Sequence, residues 1–230
     1  MALEEILRVP TAPSDAERAN DVWDGDFCCN YSADGTKLLD TENFPEVVTV
    51  RPGTKVICDG AFAFDPYMAE DCRLGEDVPY EDRISFLEKI RLPHGLTHIG
   101  DRAFMECGGI DSIRLPKGLQ YIGKQAFKDC CRLQYVRCPA SLRVISESAF
   151  EGCISMYGAH LDIGLKVLGN RAFADCEDLV EINLPHGLEI IGKDIFKGCL
   201  NLEVIRIRGV AWPRFRRMLP KHLHDIIDIS

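Results

Sequence analysis

Nothing in these 230 residues has the length of a membrane span. No apolar run approaches the ~18 residues that a transmembrane helix needs, which excludes an integral membrane segment of that kind. Residues Met1 to Arg8 lack a basic start and a long apolar middle, so no secretory leader is expected in them. The signatures of common catalytic sites are also missing. There is no Gly-rich phosphate loop, no His-Glu-x-x-His and no Gly-x-Ser-x-Gly, so nucleotide, zinc-protease and serine-hydrolase chemistry have no visible seat. No Cys-x-x-Cys pair occurs among the eleven cysteines, which removes the commonest zinc-site spacing. No enzyme is expected, and neither a cofactor nor a metal.

Basic residues are scarce in the first part of the chain. Residues 1 to 85 hold 19 Asp and Glu against 7 Lys and Arg, whereas residues 86 to 230 hold 17 against 20, and the total is −9. Overall acidity argues against nonspecific nucleic-acid binding, which draws on clustered positive charge.

What is present is a period. Phenylalanine returns every 23 residues at Phe104, Phe127, Phe150, Phe173 and Phe196, and cysteine follows three places later at Cys107, Cys130, Cys153, Cys176 and Cys199. A constant step of this length is the mark of a solenoid, in which each repeat is one coil stacked on the last. Within one coil, Ile90 and Leu92 flank Arg91, the alternation of a short strand with one buried face. Pro93 and Gly95 end that strand in a turn. Leu96 and Ile99 begin a second leg, Gly100 allows a bend, and Ala103, Phe104 and Cys107 turn back into the core. Val48, Val50, Gly53, Ile57, Ala61 and Phe62 form an earlier, degenerate coil. The cysteine column is expected to pack as small buried hydrophobes.

The runs Leu92-Pro93-His94-Gly95-Leu96 and Ile99-Gly100-Asp101-Arg102-Ala103-Phe104, with Cys107 and their echoes over roughly 46 to 208, resemble the BspA-type leucine-rich repeat of many bacterial surface antigens. The fold class read here is therefore a β-rich repeat solenoid of about six stacked 23-residue coils. The resemblance implies a module for protein binding or adhesion at a bacterial cell surface, with a protein or anionic glycan as partner. The alternative is an intracellular scaffold or self-assembling repeat protein. Location follows the same division: cell surface or secreted with an export signal, cytoplasmic without one. The residues do not specify an oligomeric state.

Three stretches fall outside the pattern. Residues 1–45 read as a cap: a short helix over Ala2 to Val9, then a hairpin about an Asp34-Gly35 turn that covers the first coil's open edge. Phe62 and Phe104 stand 42 residues apart, one period of 23 and a further 19, which places an acidic insertion near residues 65–85. Residues 209–230 read as a closing cap, its arginines facing water and Trp212, Phe215, Met218 and Leu219 covering the last coil. His222 and His224 alternate, a weak metal signal with a surface reading beside it.

One column has functional content. The outward strand residues are Arg91, Arg114, Arg137, His160, Asn183 and Arg206, and stacking should align them along one face. Tyr135 and Tyr157 stand beside them, and tyrosine is enriched in contact surfaces. The candidate binding face is thus Arg91, Arg114, Arg137, His160, Arg206, Tyr135 and Tyr157, suited to an acidic partner. The bland reading is a solvated face in which Glu88, Asp111 and Glu203, three residues upstream of three arginines, relieve the repulsion.

Overall fold

A computed structural model describes residues 3–41, 46–63 and 87–229. The acidic insertion expected at 65–85 lies outside the described residues. The chain opens with α1 (Leu3–Leu7) and α2 (Asp15–Ala19). Ser14 caps α2: its Oγ accepts from Glu17 N at 3.2 Å, and the Glu17 carboxylate accepts from Ser14 N at 2.8 Å, the reciprocal capping box. An antiparallel meander follows, β1 (Val22–Asp24), β2 (Cys29–Tyr31) and β3 (Lys37–Asp40). Gly35 takes φ +69° in the β2–β3 turn, and the Asp34 carboxylate accepts from Thr36 N at 3.0 Å.

The coils come next. β4 (Val47–Thr49) and β5 (Val56–Ile57) form the first, β6 (Lys89–Arg91) and β7 (His98–Ile99) the second, and β8 (Tyr121–Ile122) lies in the third. β9 (Tyr135–Arg137) with β10 (Val144–Ile145), β11 (Gly158–His160) with β12 (Val167–Leu168), and β13 (Glu181–Leu184) with β14 (Ile190–Ile191) make three more. β15 (Val204–Ile207) opens the last, before α3 (Trp212–Met218) and β16 (Ile227–Ile229). The second legs form one sheet in the order β1-β2-β3-β5-β7-β8-β10-β12-β14, parallel from β3 onward. The meander therefore continues the solenoid by strand pairing. The first legs form a five-stranded parallel sheet, β16-β15-β13-β11-β9, and a separate pair, β4-β6.

The return leg has no strand geometry, yet it is laddered. Arg102, Gln125, Ser148 and Arg171 have φ between 54° and 57°, the left-handed region that non-glycine residues visit at a cost of about 1 kcal/mol or more each. The bend aims alternate N–H groups along the axis. In one coil Gln125 N, Phe127 N and Asp129 N donate to Glu147 O, Ala149 O and Glu151 O of the next.

The main core cluster runs from Cys29 to Leu223, with a small second cluster of Leu39, Val56 and Cys58 beneath Val9, and the centre of the main cluster is a row of rings. Phe62, Phe104, Phe127, Phe150 and Phe173 stack at centroid steps of 5.0, 5.1, 5.2 and 5.2 Å, nearly parallel, and Phe196 closes the row at 6.4 Å with a 32° tilt. Phe62 stacks on Phe104 although they stand 42 residues apart, so the two rings belong to adjacent coils. Leu161, Leu165 and Leu168 of the least regular coil are as buried as their counterparts.

The column cysteines are buried as expected, apart from half-buried Cys199, and they also hydrogen-bond. Each thiol of the column donates to the phenylalanine carbonyl of the preceding coil. Cys107, Cys130, Cys153, Cys176 and Cys199 reach the oxygens of Phe62, Phe104, Phe127, Phe150 and Phe173 at 3.0 to 3.2 Å. A buried carbonyl with two lone pairs needs such donors.

At the far end, Phe215 is fully buried and Trp212, Met218 and Leu219 pack on the core. β16 pairs parallel with β15, Arg206 facing Asp228.

Candidate functional site

The first-leg sheet carries the residues singled out by the repeat. In β9, Val136 is buried while Tyr135 and Arg137 point to solvent, the alternation that a half-buried strand imposes. The parallel bridge Ser112–Tyr135 sets Arg114 beside Arg137, and Arg137 pairs with His160. Asn183 then pairs with Arg206, and Arg206 with Asp228. Among the described residues no strand pairing joins β6 to the third coil. Arg91 follows in the column through the second-leg register, His98 beside Tyr121. The row is thus Arg91, Arg114, Arg137, His160, Asn183, Arg206, Asp228.

Its two ends behave differently. Arg206 is salt-bridged to Glu181 of the preceding coil and lies 3.9 Å from Asp228. Glu203, the expected partner, is not used: the residue three places upstream lies on the approach to the strand, whereas Glu181 and Asp228 come from the two adjoining strands. Asn183 is a structural clip. Its Oδ1 accepts from Leu161 N at 2.9 Å and its Nδ2 donates to Leu161 O at 2.6 Å, replacing a backbone rung where the irregular coil meets the next. His160 is half-buried.

Arg91, Arg114 and Arg137 are exposed, and among the described residues none of them has an ion-pair partner. Glu88 and Asp111 do not neutralise them. Elsewhere the molecule pairs charge from coil to coil: Lys124 Nζ with Glu147 at 3.2 Å, Lys166 Nζ with Glu189 at 2.8 Å, and Glu151 with both Lys128 and Arg171. Like charges facing across strands are destabilising, so the upper part of this row is an exception to the protein's own pattern.

Tyr135 and Tyr157 lie beside it with ring centroids 5.7 Å apart. The Tyr135 ring covers Gly158 of the next coil, where a Cβ would come within 3.2 Å of ring carbon. Tyr135 and Tyr157 remain 39% and 52% exposed, enough ring face to meet a partner. The structure therefore brings together Arg91, Arg114, Arg137, Tyr135, Tyr157 and His160 and detaches Arg206. Below them a shallow groove of about 330 Å³ runs between His160, Ile163, Asn183, His186, Arg206 and Arg208. His186 and Arg208 have no mark in the sequence that would associate them with it.

His98 and His224 have local partners. His98 is buried, its Nε2 3.1 Å from Ile6 O, and burial lowers its pKa against the hydrogen bond that raises it. His224 Nε2 lies 3.2 Å from Leu219 O and its ring meets Trp212 edge-on. Among the described residues no group of three His, Cys, Asp or Glu side chains converges as a metal site, and no helix is long and apolar enough to cross a membrane. The column thiols of Cys130, Cys153 and Cys176 are pushed well above the usual cysteine value by burial, the opposite of what a nucleophile requires.

The family model for the BspA type leucine rich repeat region matches residues 82–207 in six copies. This chain belongs to the BspA-type leucine-rich-repeat family. Solved structures share the fold. The T. pallidum leucine-rich-repeat protein aligns with TM-score 0.59 at 22% identity, over 90% of this chain and 98% of its own. A leucine-rich-repeat protein from Bacteroides ovatus aligns with TM-score 0.58 at 24% identity, over 82% of this chain and 47% of its own. The pneumococcal vaccine antigen PcpA aligns with TM-score 0.59 at 17% identity, over 88% and 44%. The chain thus spans about half the length of the Bacteroides ovatus and pneumococcal chains. No curated protein matches it significantly.

Proposed function

We propose that this BspA-type chain is a noncatalytic recognition module that binds a protein or anionic glycan ligand at a bacterial cell surface. The observation that supports this reading is the unneutralised guanidinium row, Arg91, Arg114 and Arg137, bordered by the half-exposed rings of Tyr135 and Tyr157. Successive stacked coils present these groups side by side on a shallow surface, which suits a large partner better than a small molecule. The pneumococcal relative is a vaccine antigen, and surface display is consistent with that role. The test is retention of the native chain and of the Arg114→Glu, Arg137→Glu double variant on immobilised acidic polypeptides and sulfated glycans. Native retention with a loss of about tenfold or more in the variant supports the face, since rim charges of this kind govern encounter and salt dependence. Equal retention removes it.

A scaffold or self-assembling role is the second reading. It is favoured by Leu200 and Val210, 78% and 82% exposed toward the C-terminal end. Sedimentation that stays monomeric as concentration rises would dispose of it.

A further inference from the structure

Resting on the recognition reading, the spacing of the row defines the shape of its partner. We propose that the Arg91–Arg114–Arg137 face takes an acidic amphipathic α-helix lying along the solenoid axis. The three arginines occupy successive coils, and the core rings of those coils step by 5.1 and 5.2 Å. From Arg91 to Arg137 is two coil steps, about 10 Å at the ~4.8 Å spacing of paired strands. Carboxylates at positions i, i+4 and i+7 of an α-helix lie on one face and span about 10.5 Å at 1.5 Å per residue. Three acidic side chains can therefore meet three guanidinium groups without shifting register. An extended peptide presents same-face residues at i, i+2 and i+4, about 13 to 14 Å end to end, and loses register by the third charge.

The neighbouring groups fit the same partner. The Tyr135 ring packs against Gly158, and the Tyr157 ring of the following coil lies 5.7 Å away. Together they offer an apolar strip beside the charges, where a helix of about 10 Å diameter would lay the apolar residues that flank its acidic stripe. Beyond His160 the charge pattern changes. Asn183 is committed to the Leu161 backbone, and Arg206 to Glu181 and Asp228. The helix site thus ends where the free cations end. His160 marks its lower boundary, paired in register with Arg137.

The experiment uses the full chain and a lactam-stapled, fluorescein-labelled peptide of about 18 residues, long enough to hold a helix. The peptide has Glu at i, i+4 and i+7 and one Leu stripe. A control with the same Glu and Leu residues is made extended by proline at the intervening positions, and heparin serves as the glycan probe. Anisotropy titrations at low and physiological salt are expected to show saturable one-to-one binding of the helix. Binding should weaken with salt and be at least about tenfold weaker for the extended control. Arg114→Glu and Arg137→Glu should each reduce helix binding at least about fivefold, and Lys193→Glu, on another face, should leave it unchanged. Equal binding of helical and extended peptides overturns the helix assignment and leaves a generic anionic face. Heparin binding that is lost in the arginine variants, with no helix binding, makes the ligand a glycan. Insensitivity of every probe to the arginine variants removes the recognition face itself. Circular dichroism of each variant guards against misfolding, with Arg114→Gln as the milder substitute.

Discussion

The Cys153 thiol donates to the carbonyl oxygen of Phe127, one coil earlier, at 3.2 Å, and that same oxygen accepts from Cys130 N at 3.3 Å. Both side chains are fully buried. The Phe-to-Cys interval of three residues thus has a physical meaning. It returns the chain by one turn, so that a cysteine N–H closes the turn in its own coil while its sulfur ties down the turn below.

Replacing that sulfur separates hydrogen bonding from packing. Cys153→Ala should cost about 1 to 2 kcal/mol through the lost donor and the small void. Cys153→Ser, which keeps a donor over the Phe127 oxygen, should cost no more than the alanine change in urea denaturation. If the position needed only apolar volume, serine would be the worse substitution by the penalty of a buried hydroxyl.

The ring row and the arginine row should respond oppositely to truncation. Phe127 stacks between Phe104 and Phe150 at 5.1 and 5.2 Å, and Phe127→Ala should cost about 3 to 5 kcal/mol. Arg114→Ala should change stability by less than about 1 kcal/mol, as for exposed charges. Equal effects in the same denaturation series would reverse the inside-outside assignment.

Acid should weaken the stack through Glu151. Its Oε2 lies 2.9 Å from Arg171 Nε and its Oε1 3.4 Å from Lys128 Nζ, joining three coils. Burial works to raise its carboxyl, but hydrogen bonds from Arg171 and Ser148 and the Lys128 charge outweigh it and hold the pKa at about 2, against 4.5 ordinarily. Since the folded value is depressed, the contribution is present above pH 4.5 and fades as pH falls toward 2. Its ceiling is about 3 kcal/mol. Stability of Glu151→Gln measured from pH 6 to pH 3 should fall less steeply than that of the native chain. Parallel curves would show that Glu151 is not linked to acid unfolding.

The coil itself was legible because it repeats. Phe104 and its four echoes place the rings, Ile90 and Arg91 place the buried and exposed faces, and Phe62 reads correctly as the ring of an earlier coil. Features that belong to a single coil were not legible. Asn183 reads as one more outward residue, and only the position of the Leu161 backbone makes it a clip. The main partner of Arg206 is Glu181 of the preceding coil, with Asp228 of β16 at 3.9 Å; both lie across strands rather than upstream in sequence, where Glu203 was the nearest guess. The thiol bonds of the cysteine column were hidden for another reason: period gives position but not the direction of a donor. The left-handed backbone at Arg102, Gln125 and Arg171 was hidden as well, since those residue types give no sign of φ > 0.

The proposed recognition face requires that Arg91, Arg114 and Arg137 stand in line against the interest of the fold. Urea denaturation of Arg137→Gln at low salt tests it most directly. Relieving one like-charged neighbour should leave the stability unchanged or raise it by up to about 1 kcal/mol, with the gain shrinking as salt screens the row. A loss of stability of more than about 1 kcal/mol at either salt would make the arginine a structural element and contradict the account.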